Sequence, residues 1–403
     1  MTINVRLGVL IVEPDSNGHH ANYLGLAAQG FVSAGLQVTV AADLANAAIH
    51  AELAGRDWRG VSFIAASKRT ISNNDLGIVH DQIHYWRQCR ELIRAQRSAG
   101  WRGDVFMPYL DRLIHAIGLL GSPDPAGSVS GILMRPQFGA RQAGASHKSR
   151  LRRRLLTALF RRAVERRQVE RIYVIDALTE ADVRGVSPSM AQRVVRLVDP
   201  ADCFRSQSRE AARAQLGLPQ DRFLILVYGE IAARKAAAEL IGALSLRPGF
   251  AQAVVVGRSG ADLGDSLVQA ADGDAKKLAT LMIRIDLRVS NDEERQFFEA
   301  ADAVWVAYHD HPGMSGVLVQ AGQMALPVIG CEAGAIGRYC REQRLGLTVE
   351  PHRRESILAA LDQIASDRAG FAAMGSRGHA TFSSFTRARF IEQIGESLTE
   401  AEG

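Results

Sequence analysis

Two clusters in this chain have the residue types and spacing to hold a strongly anionic group. The first is Arg234-Lys235 in "YGEIAARKAAAEL", two adjacent cations at the start of a helical stretch that follows a strand-like run. They repel each other and the positive end of the helix dipole, and an anion such as a diphosphate between them relieves both effects. Chance placement beside a helix cap is the plain alternative. The second is "HPGMSGVLVQAGQMALPVIG", residues 311–330, where Gly313, Met314, Ser315 and Gly316 lead from a strand end into a helix. Glycines there free the backbone to turn N–H groups toward a ligand, and a serine adds a hydroxyl, as an anion-binding nest requires. No acidic residue stands between Asp310 and Glu332, as suits a phosphate at the turn.

The N-terminal half offers less. "RLGVLIVEPDSNGHHANYLG" ends a strand in a loop with Gly18 and His19, where a ligand can approach the start of a helix; an ordinary strand-to-helix turn reads equally well. Asp111 follows "DVFMPYL" and either orients a substrate hydroxyl or caps a helix. There is no G-x-G-x-x-G fingerprint, Walker A sequence or G-x-S-x-G elbow, and histidine and cysteine spacing gives no zinc site.

These residues sit on a regular framework. Short β-rich runs alternate with helical stretches, the rhythm of parallel sheets with crossover helices. One series runs from "RLGVLIVEP" to "RVVRLVDPADCF". A second runs from "RFLILVYGE" through "AQAVVVGRSG" and "ADAVWVAY" to "LPVIGC". At 403 residues, two domains are expected. Their boundaries are placed at 1–197, 198–380 and a last helical segment, 381–403. The composition is that of a globular protein, with 47% hydrophobic and 23% charged residues. No apolar run is long enough to span a bilayer, and no signal-peptide pattern opens the chain. Four scattered cysteines suggest a reducing cytoplasm.

One segment departs from the rhythm. Residues 147–171 carry ten Lys or Arg against Glu165 and Glu170. Leu151, Leu155 and Leu159 form one row, and Leu156, Phe160 and Val164 the adjacent row, giving one apolar stripe on a basic helix. It reads as a helix docked on its own domain, or as one that leans on an anionic membrane surface. Nucleic acid fits less well, because no aromatic residues interleave the charges.

In order and spacing, "YGEIAARKAAAELIGAL", "AVVVGRSG", "IRIDLRVSNDEERQFFEAADAVWVAY", "GMSGVLVQAGQMALPVIG" and "GLTVEP" resemble glycosyltransferase family 4, over roughly residues 196–370. The resemblance implies an α/β fold of the GT-B type, two Rossmann-like doubly wound parallel-sheet domains facing a cleft, with the last helix returning to the first domain. It implies that Lys235 grips the diphosphate of a nucleotide-sugar. The family arginine before that lysine falls on Glu230, so Arg234 stands in for it, and the following glycine falls on Ala236. The two glutamates of the family's Glu-x7-Glu motif fall on Pro312 and Gln320, and Gln320 keeps an amide oxygen for the donor ribose. A family histidine near Met134 falls beside Arg135, which then faces the donor sugar.

The expected function is a retaining hexosyltransferase that moves a sugar from a UDP- or GDP-linked donor to a lipid-linked or saccharide acceptor in polysaccharide or glycolipid assembly. It uses no cofactor and no metal. Arg234, Lys235, Gly313, Met314, Ser315, Gly316 and Gln320 bind the donor; Gly18 lies on the acceptor side with His19; and His19, Asp111 and Arg135 are the catalytic candidates. The expected location is cytoplasmic, peripheral on the inner membrane face, with no nucleic acid partner. The alternatives are a non-catalytic partner protein built on the same fold, for which the lost glutamates argue, and a nucleotide-sugar epimerase.

Overall fold

The computed structural model describes residues 8–14, 20–45, 58–66, 78–134, 147–258, 263–285 and 291–399. The chain divides into two compact units, one of Met1–Val198 with Arg387–Gly403 and one of Asp199–Thr386. Both are parallel sheets with crossover helices.

In the first unit the strands are β1 (Gly8–Glu13), β2 (Gln37–Ala42), β3 (Val61–Ala65), β4 (Asp104–Met107), β5 (Val129–Ile132), β6 (Val169–Val174) and β7 (Val194–Arg196). They lie in the order β3-β2-β1-β4-β5-β6-β7, every pair parallel. The helices described between them are α1 (His20–Ser33), α2 (Ile78–Ser98), α3 (Ile114–Leu120), α4 (His147–Glu165) and α5 (Ala177–Val186). β1 is buried along its whole length, as a strand covered by helices on both faces must be. Gly35 turns the chain out of α1 with a φ of 82°, which a side chain would resist. Leu10, Val105, Ile117, Phe160 and Ile172 belong to one buried cluster that joins the sheet to α3 and α4.

The second unit holds β8 (Phe223–Tyr228), β9 (Ala251–Val256), β10 (Met282–Ile285), β11 (Ala303–Val306), β12 (Val328–Cys331) and β13 (Gly346–Val349), in the order β10-β9-β8-β11-β12-β13. Its helices are α6 (Arg209–Leu216), α7 (Ala237–Leu244), α8 (Leu263–Ala270), α9 (Ala275–Leu281), α10 (Asn291–Ala300), α11 (Gly316–Gln323), α12 (Gly334–Gln343), α13 (Arg354–Ser366) and α14 (Arg368–Phe382). β8 pairs with β9 from Phe223↔Ala251 to Tyr228↔Val256, and with β11 at Ile225↔Ala303. The core centres on Ile225, Val255, Trp305 and Ile329 between α7 and α13.

The last helix, α15 (Arg387–Thr399), packs on α1 of the first unit. Gly30 makes room for it, since a Cβ there would stand 2.6 Å from Ile394. Tyr173 Oη and Ser397 Oγ lie 3.0 Å apart beneath it.

Each sheet has one place where the strand order reverses: between β1 and β4 in the first unit, and between β8 and β11 in the second. Ligands of open α/β sheets bind at the carboxyl ends of the strands at such a point.

The basic helix α4 differs from its sequence reading. Leu156, Phe160 and Val164 are buried against the unit, whereas Leu151 and Leu155 are exposed. The expected single stripe is therefore two faces, because a row one residue over on a helix points about 100° away.

Candidate active site

At the second unit's switch point, β8 runs into Gly229 and a 3₁₀ turn at Ala233–Lys235, and β11 runs into residues 307–315. Backbone and indole bonds stitch the two loops. Trp305 Nε1 donates to Lys235 O at 2.8 Å, and His309 N to Arg234 O at 2.7 Å. Behind them Gly257, at the end of β9, has a φ of 133°, and a Cβ on it would lie 1.9 Å from Gly229 O. Only glycine permits that approach of two strand ends.

Arg234 and Lys235 sit in the 3₁₀ turn, ahead of α7 and not in its first turn. Between turn and helix, Ala236 holds a left-handed φ of 52° with its side chain fully buried. That is the conformation glycine adopts most easily. The structure brings both cations to one aromatic ring: Arg234 Cζ is 5.6 Å and Lys235 Nζ 5.3 Å from the centroid of Tyr308. Lys235 is only 4% exposed, and its Nζ donates to Tyr228 O. Burial, and then the charge of Arg234, lower its pKa to about 7. Near neutral pH this lysine therefore exchanges its charge readily, and a neighbouring anion would fix it in the protonated form.

Gly313 and Gly316 are present at the β11 loop, but neither has a positive φ. The glycines therefore do not serve a left-handed turn; what Gly316 leaves is space, since a Cβ there would meet nothing within 4 Å. Gly316 opens α11 after Ser315, and no side chain caps this start. Uncapped first-turn amides carry the positive end of the helix dipole. Ser315 Oγ is buried and lies 3.4 Å from Tyr308 Oη, so the hydroxyl meets the phenol. Met314 is buried, and its carbonyl is held by His311, whose Nε2 lies 3.0 Å away. Burial raises the Tyr308 pKa to about 12, so the phenol stays neutral.

Gln320 donates through Nε2 to Glu294 of α10 at 2.5 Å. The stretch without acids is thus supplied with a carboxylate from another helix. Beside the loop, His309 Nε2 lies 2.6 Å from Glu239 Oε1, and its ring stacks on His352 at 3.9 Å. Tyr308, His309, Glu294 and Glu239 were not singled out from sequence. Tyr308 and His309 directly follow the β-strand "ADAVWVA", and their place at a strand end was the available signal.

The first unit's switch point is built differently. Glu13 ends β1 fully buried and accepts a 2.6 Å hydrogen bond from Tyr85 Oη. Burial, then Glu13, raises the Tyr85 pKa well above its usual value. Asp111 lies in the 3₁₀ turn Leu110–Arg112 after β4, and its Oδ2 accepts from Met134 N at 2.8 Å. The caps of this turn and of α3 are Tyr109 and Leu113, so Asp111 caps neither helix. It fixes the backbone one residue before Arg135. Gly18, His19 and Arg135 themselves lie outside the described residues. Among the described residues no group of three or more His, Cys, Asp or Glu is placed to hold a metal ion.

Residues 222–367 match the model of the family "Glycosyl transferases group 1". This segment contains both loops of the second switch point. A D-inositol 3-phosphate glycosyltransferase of Nocardioides sp. is 30% identical over 209 residues, 48% of this chain and 45% of that protein. One from Mycobacteroides abscessus is 28% identical over 236 residues, 56% of this chain and 52% of that protein. The chain spans about half the length of the relatives it matches. In fold the likeness extends further. Anabaena Alr3699/HepE, solved in complex with UDP-glucose, superposes with a TM-score of 0.69 at 16% identity, covering 98% of this chain and 99% of that one. Sucrose-phosphate synthase from Thermosynechococcus elongatus does so with a TM-score of 0.72 at 16% identity and the same coverage. The chain thus has the paired parallel-sheet α/β domains of the GT-B type, and its residues 222–367 match the group 1 glycosyl transferases in sequence.

Proposed function

We propose that this chain is a retaining glycosyltransferase that takes a hexosyl group from a nucleotide-sugar, with the donor diphosphate held at the β8–β11 switch point. The observation that carries the reading is the convergence there of Arg234, Lys235 and the open, uncapped start of α11, inside the segment that matches the family. These groups meet the negative charge that grows on the leaving diphosphate, with cations and helix dipole in the place of a metal ion. Met314, Ser315 and Gly313 shape the turn. Gln320, tied to Glu294, presents the ribose with an amide oxygen and a neighbouring carboxylate. The UDP-glucose complex of the Anabaena neighbour supports a UDP-linked donor, and a GDP-linked donor is the alternative.

The acceptor is a lipid-linked or free saccharide taken by the first unit, in polysaccharide or glycolipid assembly at the cytoplasmic face of a membrane. Gly18 and His19 line the acceptor side, and Arg135 faces the donor sugar. No helix among the described residues is long and apolar enough to cross a membrane, so the proposed association is peripheral.

A thermal-shift screen against UDP- and GDP-sugars, followed by a transfer assay with the donor that stabilises, tests this. A ligand at 100 times its Kd adds about 2.7 kcal/mol of stability. Gly316→Val should keep the melting temperature of the free protein and lose the donor-induced shift. Binding without turnover on any saccharide or lipid-linked acceptor would support the partner-protein reading. No shift with any nucleotide would remove the proposal.

A further inference from the structure

Four of the six large hydrophobic side chains exposed among the described residues lie on one helix pair: Leu119 (44%) and Leu120 (45%) at the end of α3, and Leu151 (63%) and Leu155 (54%) on α4. The other two, Phe204 and Leu246, are far apart in the second unit's sequence. The helix pair is closely packed. A Cβ on Gly118 would stand 2.0 Å from Leu159 O, and His115 is fully buried between the helices with its pKa lowered to about 4 by burial. The leucines are therefore fixed on a firm support.

At about 3.6 residues per turn, Leu151, Leu155, Arg162 and Arg166 share the side of α4 opposite the buried Leu156, Phe160 and Val164. Arg152 and Arg154 are exposed as well. The acid on this stretch, Glu165, faces Arg161 at 3.9 Å. We infer that the exposed leucines of α3 and α4, framed by the arginines of α4, form a docking surface for an anionic lipid bilayer. This deepens the membrane part of the proposed function and rests on it for its biological setting, but it does not depend on the transfer chemistry.

Charge complementarity selects the occupant. An apolar patch of this kind offers on the order of a few hundred Å², short of the roughly 1,200 Å² at which stable protein interfaces begin. Pairing with a second copy would also bring the two sets of arginines together. Anionic headgroups accept the guanidinium groups while the leucines enter the acyl boundary, and long arginine side chains reach outward to do both.

The test is sedimentation of the full chain with vesicles of phosphatidylcholine alone or mixed with phosphatidylglycerol, across a salt series. The chain should bind the mixed vesicles, bind less as salt rises, and ignore the neutral ones. Replacing Arg152, Arg154, Arg162 and Arg166 with Gln should lower partitioning by on the order of a hundredfold or more. Leu151→Ser with Leu155→Ser should lower it about tenfold, and Leu246→Ser should not change it. Circular dichroism and nucleotide titration of each variant should match the parent, which separates failure here from failure of the transferase reading. Equal binding by parent and variants, no binding to the mixed vesicles, or a vesicle-free dimer that the leucine variant dissociates would each overturn the inference.

Discussion

At the second unit's switch point, cations and an uncapped helix start converge on loops sewn together by backbone and indole hydrogen bonds. At the first unit's switch point, the buried group is a carboxylate, Glu13, gripped by Tyr85. The topology is shared and the buried charged groups differ: Lys235 in the second unit, Glu13 in the first. On the proposed reading, the second crevice takes a ligand of high negative charge. The other has its acid already engaged in the interior and leaves recognition to the loops beyond. The family model matches residues 222–367, the curated relatives match about half of the chain in sequence, and the likeness in fold covers 98% of it.

The strongest way to break the comparison is at Trp305. It is fully buried and holds the Lys235 carbonyl. Trp305→Ala should cost about 3–5 kcal/mol, and calorimetry should show the loss in one unfolding transition only. A uniform shift of all unfolding would mean that the two units do not respond separately. Next comes Tyr85→Phe. Removing a hydrogen bond to a buried carboxylate should cost about 1.5–3 kcal/mol in the first unit while nucleotide affinity stays unchanged. Lost affinity would place Tyr85 in donor binding.

Gln320→Glu sharpens the picture further. The resemblance alone suggests that restoring the acid tightens donor binding. Glu294, 2.5 Å from Gln320, sets a cost in stability against it. Two carboxylates would face each other, one would hold its proton more tightly than in the unfolded chain, and stability would fall as pH rises through that raised pKa. We expect a loss of about 1 kcal/mol at pH 7 that vanishes on acidification. A pH-independent change would show that the two groups separate.

The alternation of strand and helix, and with it both switch points, was legible from apolar runs and their spacing. So were the two loops at which the donor is proposed to bind, because glycine and paired cations at strand ends are local signals. What sequence did not show depends on distant partners. Tyr308 meets Lys235 across 73 positions of chain, Glu294 reaches Gln320 from another helix, and burial separates two apolar rows that differ by one residue. Whether Gly316 supplies a special φ or open space could not be read from sequence, because the residue type is the same for both.

Lys235 concentrates the account. Its pKa of about 7 lies below that of an unfolded lysine, so the unfolded chain binds more protons between about pH 7 and 10. Stability of the free protein should therefore rise across that window. In Lys235→Met the rise should be absent, at a change of no more than about 1 kcal/mol at neutral pH, because a buried charge leaves together with its hydrogen bond. The most direct measurement is calorimetric titration of UDP and GDP at pH 8 in buffers of different ionisation enthalpy. If the diphosphate sits at this switch point, binding takes up close to one proton, and affinity falls between pH 8 and 9 by up to about tenfold. Lys235→Met should bind about 10- to 150-fold more weakly, the range for a charge-assisted bond, and take up none. Saturable binding with no proton uptake and equal affinity in the variant would contradict the placement of the diphosphate at β8 and β11.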